Sequence, residues 1–194
     1  MKRGFTLFEM IVAIGVFSII VVISLGSVLT ISSSQKKAAS FRAVQDNLNF
    51  ALETMAKSIR VGFDYYCYDD SNPDSNLSIS NYNYNGPNDC SINNSVGGNV
   101  FIFKAIDENG LQITKGYRIN GTRIEVDSSN DAGGFIPLTG NDVKIVNGRF
   151  YVTGAEPDKQ PMVIIILTGV AGEQGKIQSE AKLQITISQR QIDS

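Results

Sequence analysis

The sequence predicts an α+β protein, in which a long N-terminal membrane-spanning helix packs through its C-terminal half on an antiparallel β-sheet head. Three observations predict it. Met10 to Leu29 contains no Lys, Arg, Asp, Glu or Pro, and at about 1.5 Å per residue such a helix spans roughly 30 Å, the thickness of a bilayer's hydrocarbon core. Phe41, Val44, Leu48, Leu52, Met55 and Ile59 then recur at spacings of three and four, an amphipathic stripe. From Val100 onward, runs of β-branched and aromatic residues alternate with Gly and Asn turns, and no strand–helix–strand pattern calls for a parallel sheet.

The first element is the leader, residues 1–4. Met1-Lys2-Arg3-Gly4 is short and basic, and the apolar stretch follows it at once through Phe5-Thr6-Leu7-Phe8-Glu9. In a secretory signal the apolar core precedes the cleavage site. Here a cut falls after Gly4, so the apolar segment stays on the mature chain. In the span, residues 5–31, Ser18, Ser24, Ser27 and Thr30 can bond back to the helix backbone, while Gly15 and Gly26 offer close approach to a neighbouring helix. Glu9 is the anomaly. An acidic residue in a membrane helix costs on the order of 2–3 kcal/mol at mid-bilayer and marks a functional position by default. The bland alternative seats it at the interface, helped by the positive end of the helix dipole.

Gly4-Phe5-Thr6-Leu7-Phe8-Glu9 resembles the processing site of type IV prepilins and pseudopilins, Gly-Phe-Thr-Leu-x-Glu. The resemblance implies a pilin-like fold, cleavage after Gly4 by a prepilin peptidase, N-methylation of Phe5, and pairing of Glu9 with the N-terminal amine of a neighbouring subunit during assembly. Opposite charges attract far more strongly in a low-dielectric medium than in water, and an unpaired one there is costly, so the pair would select axial register. The implied partners are the peptidase, other pilins or pseudopilins, the lipid bilayer and an inner-membrane assembly platform. The implied location is a single pass through the inner (cytoplasmic) membrane with the head outside the cytoplasm, and a filament after assembly. Charge counting does not orient the span, because Lys2 and Arg3 precede it while Lys36, Lys37 and Arg42 follow. Many major pilins place a kinking Pro where this chain has Gly26, and the helix is expected to loosen there.

Residues 32–62 read as an amphipathic continuation of the helix, with Gly62 as its stop. Phe50-Ala51-Leu52, Ile59-Arg60 and Gly62, with Cys67 nearby, resemble the helix end of W-type minor pilins. Leu52-Glu53-x-Met55-Ala56-x-x-Ile59-Arg60 resembles J-type pseudopilins of type II secretion.

Residues 63–99 change texture to Asn, Asp, Ser and Tyr, turn formers with little to bury, and read as a long polar loop. Cys67 and Cys90 lie within it. An oxidising compartment pairs them, stabilising by roughly 3.5 kcal/mol in the chain-entropy model, whereas a reducing one leaves two thiols. Asp70, Asn72, Asp74 and Asn76 place oxygen ligands at alternate positions, as the start of a calcium loop does. Ser75 replaces the sharp-turn Gly, Pro73 intrudes, and Asn81 stands where a bidentate Glu would close the loop, so solvated turn residues are the better reading.

Residues 100–194 read as the sheet head. Val100–Phe103 opens it, and Leu111–Ile119 and Thr122–Asp127 flank the hairpin signal Asn120-Gly121. Phe135–Leu138 and Val143–Val146 come next, then Asn147-Gly148 as a turn before Arg149–Thr153. Met162–Thr168 is nearly continuous in apolar residues and predicts a central strand covered on both faces. Lys182–Ser188 alternates as a half-buried final strand.

Composition narrows the function. Net charge is −2, with no His and no Trp, so there is no basic excess for a nucleic-acid partner and no imidazole base for a catalytic triad. Neither zinc spacing nor a phosphate-cradling loop occurs, and no cofactor is indicated. The sequence therefore reads as a non-enzymatic assembly subunit, a minor pilin or pseudopilin at or near a filament tip, because its head is longer and richer in loops than a minimal pseudopilin. The alternative is a filament-tip binding module, an adhesin or DNA-uptake receptor that uses the polar loop. A third reading is a domain held merely by an uncleaved anchor.

Overall fold

The computed structural model describes residues 6–73, 78–82, 86–91, 97–129, 133–172 and 178–190. The chain divides into two compact units, residues 1–39 and 40–194. Helix α1, Leu7–Arg60, begins in the first and ends in the second. It runs unbroken through Gly26, so the expected loosening is not seen; neither Gly15 nor Gly26 has anything within 4 Å of where a Cβ would stand.

In the second unit the helix buries Val44, Leu48, Ala51, Leu52, Met55, Ala56 and Ile59. Phe41 shares their spacing but is exposed, so the buried stripe starts one turn later than the periodicity suggests. The helix ends because the chain must pass the sheet closely. A Cβ on Gly62 would lie 2.4 Å from the Phe103 ring, and the Gly62 N–H donates to the Ile59 carbonyl. Space, not a left-handed backbone, requires glycine here.

The helix packs on two antiparallel sheets. The first has five strands in sequential order: β1 Phe63–Tyr68, β2 Val100–Ile106, β3 Gln112–Asn120, β4 Arg123–Ser128 and β5 Ile136–Pro137. The second has three, also sequential: β6 Val143–Thr153, β7 Met162–Gly172 and β8 Gln178–Ser188. One apolar core joins them, with Phe101, Phe103, Tyr117, Phe150, Val163, Ile165 and Leu167 packed around the helix stripe. The Ser58 and Tyr117 hydroxyls share a 2.6 Å hydrogen bond, and those of Ser40 and Ser179 a 2.8 Å one, so polar contacts fasten the helix beside the core.

Four local readings need correction. Phe63–Tyr68 is a strand rather than loop, with Tyr65 and Cys67 buried and Tyr68 exposed; its period-two pattern is hidden by aromatic residues on both faces. The β3–β4 turn falls on Gly121-Thr122, since Asn120 pairs with Arg123, and Gly121 takes φ +56°. Asn147-Gly148 is not a turn. β6 continues through it with a shift in register between Ile145 and Asn147, and Gly148 admits Ile119 closely, since a Cβ there would lie 2.7 Å from Ile119 Cδ1.

The strand covered on both faces is β2, not β7. β7 is central as expected, yet Ile164 and Ile166 are half-buried while Val163, Ile165 and Leu167 are fully buried. In β2, Phe101 and Phe103 face the helix side, while Val100 and Ile102 pack with Ile79 and Tyr82 from the polar segment. That segment therefore does have something to bury.

Candidate functional site

Two places hold the residues that the sequence singles out. In the first unit, Thr6 caps the helix. Its Oγ1 accepts the Glu9 N–H at 3.3 Å, and its carbonyl accepts the Met10 N–H at 3.3 Å. Glu9 is thus the third helical residue, where the helix dipole favours a carboxylate. Thr6-x-x-Glu9 has the spacing of a capping box. The Thr6–Glu9 spacing alone carries the signal for this cap in the sequence. Gly4 and Phe5 lie outside the described residues.

Beyond Glu9, no residue up to Ala39 is buried. Leu7, Phe8, Phe17, Val22, Leu25 and Leu29 are each more than 60% exposed, a surface that water would penalise at about 25 cal/mol per Å². α1 is long and apolar enough to cross a membrane. Its hydroxyls suit such surroundings, because Ser18, Ser24, Ser27 and Thr30 donate to the carbonyls of Ile14, Ile20, Ile23 and Gly26, four residues back. None of these donors then needs water.

In the second unit, Cys67 and Cys90 are joined as a disulfide with 5.6 Å between their Cα atoms. Of the calcium candidates, Asp70 is buried, its Oδ1 accepts the Asn72 N–H at 2.9 Å, and its Oδ2 accepts the Tyr82 hydroxyl at 2.9 Å. Both oxygens are thus engaged in holding the chain. Asp74 and Asn76 lie outside the described residues. Among the described residues, no group of three or more His, Cys, Asp or Glu side chains could hold a metal.

The anchors of this segment were invisible in the sequence. Asp127, from β4, accepts the Ser78 hydroxyl at 3.0 Å and the Ile79 N–H at 2.6 Å. The Asn99 side chain exchanges two hydrogen bonds with the Asp70 backbone, at 2.7 and 2.8 Å. Arg118, in β3, is buried and pairs with Glu125 at 2.6 Å, donates to the Pro73 carbonyl at 2.7 Å, and lies 4.1 Å from the Phe135 ring centre. Gly116 leaves the space that Ile79 fills, since a Cβ there would lie 2.8 Å from Ile79 Cδ1. Burial, and secondarily the Asp70 hydrogen bond, push the Tyr82 phenol from its ordinary 10 up to about 12. Chemically these groups fasten a segment to a sheet face. Each is a distant residue placed by strand register, so no local pattern announces it.

Residues 1–25 match the family model of the prokaryotic N-terminal methylation motif, which supports the type IV pilin family, a structural and non-enzymatic one. Neither the curated proteins nor the solved structures yield a match to the chain.

Proposed function

We propose that this chain is a minor pilin or pseudopilin, a structural subunit that joins a type IV pilus or type II secretion pseudopilus at or near its tip. The observation that carries the reading is the methylation motif, residues 1–25, leading into the apolar part of α1, which buries no side chain as far as Ala39. A prepilin peptidase would hydrolyse the Gly4–Phe5 bond and methylate the new amine on Phe5. The chain would then wait as a single pass in the cytoplasmic membrane, its head outside. On assembly, the Glu9 carboxylate would pair with the Phe5 amine of a neighbouring subunit, and leaving either charge unpaired in an apolar filament core is what enforces register. The W-type and J-type resemblances at the end of α1 support a minor role, as does a head whose polar segment is built up into a second layer.

The decisive measurement is the mass of the N-terminal peptide after co-expression with a prepilin peptidase. An N-methylated peptide starting at Phe5 is expected; an intact Met1 terminus, with the enzyme active on a control substrate, would sink the assembly reading. Glu9→Lys should lower recovery in sheared filaments by about tenfold or more while leaving the membrane-bound amount unchanged. A domain that is merely anchored would not respond to it.

A further inference from the structure

Among the described residues no strand of the five-stranded sheet forms a ladder with the three-stranded one, although the Ile145 N–H of β6 donates to the Thr122 carbonyl in the β3–β4 turn at 2.9 Å. The segment Asn88–Cys90 lies between the edges of β1 and β6 and bonds to both. On one side the Cys67 N–H donates to the Asn88 carbonyl at 3.1 Å, and the Asn88 N–H donates to the Tyr65 carbonyl at 3.0 Å, a parallel bridge. On the other side the Cys90 N–H donates to the Val152 carbonyl at 3.1 Å, and the Val152 N–H donates back at 3.2 Å, an antiparallel bridge. Gly98 repeats the antiparallel exchange with Phe150, at 2.8 Å in each direction. Side chains reinforce the fit. Asn88 Nδ2 donates to the Cys67 carbonyl at 2.6 Å, and the Asp89 carboxylate accepts the N–H groups of Gly154 at 3.0 Å and Ala155 at 2.8 Å. Asn88–Cys90, together with Gly98, thus joins β1 and β6 by backbone hydrogen bonds.

The disulfide sits on this seam. Both of its sulfurs lie against the Phe150 carbonyl oxygen, Cys67 Sγ at 3.7 Å and Cys90 Sγ at 3.3 Å. A Cβ on Gly98 would come within 2.7 Å of Cys67 Sγ, so the returning chain closes directly over the bond. Asn88 and Asp89 are exposed, so the segment buries little apolar surface. Its hydrogen bonds replace bonds to water and each adds little net stability. The covalent link is an attachment that solvent cannot replace.

We propose that the Cys67–Cys90 bond is a redox latch for this seam: oxidation locks the Asn88–Cys90 strand between the sheets, and reduction frees it and reopens the facing edges of β1 and β6. Closure forms one S–S bond. Two thiols pass two electrons and two protons to an external disulfide of the thiol–disulfide oxidoreductase class, which leaves as a dithiol. Opening is the reverse, with a dithiol attacking and leaving as a disulfide. Cys67 is fully buried and Cys90 half-buried, so exchange starts at the Cys90 sulfur. A chain that has not been oxidised thus carries two strand edges ready for wrong pairing, and a chain that has been oxidised does not.

The test is amide hydrogen exchange on the full chain in detergent micelles, oxidised and then reduced with dithiothreitol, which leaves as its cyclic disulfide. Reduction should speed exchange at the Cys67, Asn88 and Val152 amides by about tenfold or more while the β3–β4 and β7–β8 ladders keep their protection. Cys90→Ser should show the same pattern without reductant. Unchanged exchange at those three amides in the reduced wild-type chain would overturn the proposal. An equal rise across β7–β8 would also overturn it, since the bond would then stabilise the whole head rather than latch a seam. The proposal does not depend on the assembly reading.

Discussion

Between Leu7 and Ala39 helix α1 buries no side chain, whereas between Val44 and Ile59 the same helix buries seven. The two stretches differ in pattern more than in kind. The first is apolar all round, so no single face of it could be satisfied by one sheet, and it is long and apolar enough to cross a membrane. The second confines its apolar residues to a stripe, with Glu53, Lys57 and Arg60 outside it, and two sheets cover that stripe. The lesson is that a helix's periodicity says how much of its surface the rest of the chain is meant to cover.

Substitutions of one kind placed in the two stretches give the sharpest contrast. Leu48 is fully buried against Gly169, whose Cβ would lie 3.2 Å from the leucine Cδ2. Leu48→Ala should destabilise the head by about 2–5 kcal/mol in denaturant titrations of the full chain in detergent. Leu25→Ala, on an exposed position, should leave that midpoint unchanged and instead weaken retention in membranes. Equal effects of the two on head unfolding would break the comparison.

A smaller effect probes the layer over β2. The Tyr82 phenol is raised to about 12, so between pH 10 and 12 the unfolded chain loses this proton while the folded chain keeps it. Fewer protons bound in the unfolded state means that stability falls as pH rises. The contribution is intact below pH 10 and gone above about 12. Tyr82→Phe should flatten this part of the decline in unfolding midpoints. Burial also raises Tyr117, so some decline should remain in the variant. A decline of the same steepness in both proteins would show that Tyr82 is not sheltered.

The smallest expected effect is at the surface. Glu53 and Lys57 pair at 2.8 Å, one helical turn apart and largely exposed. Although the lysine lowers the Glu53 pKa, solvent screens the pair. Glu53→Gln should not measurably shift the melting temperature, and a clear shift would mean that this face of α1 is less solvated than its exposure indicates.

Legibility in the sequence followed the range of the interaction. The apolar span and the stripe from Val44 to Ile59 could be read directly, because each depends on neighbours within one or two helical turns. Thr6 was equally local and its spacing to Glu9 equally readable. The alternation of Leu183, Ile185 and Ile187 was a correct guide to the last strand, whereas the apolar run in β7 misled. It promised cover on both faces, but the second layer went to β2, where Ile79 and Tyr82 happen to land. Asn147-Gly148 misled in the same way, since Gly marks both a turn and a close approach.

The sequence by itself determined the N-terminal methylation motif, the apolar half of α1, the helix face that a sheet must cover and the antiparallel class of the head. Periodicity, charge and turn chemistry are properties of contiguous residues, so they survive without coordinates. Only the tertiary structure decided that the polar segment is docked rather than free. Its fasteners are Asp127, Arg118, Asn99 and Asp89, which stand from 29 to 66 residues along the chain from at least one group that they hold. What a buried carboxylate or guanidinium holds is fixed by strand register and by the need to pair every polar group taken out of water.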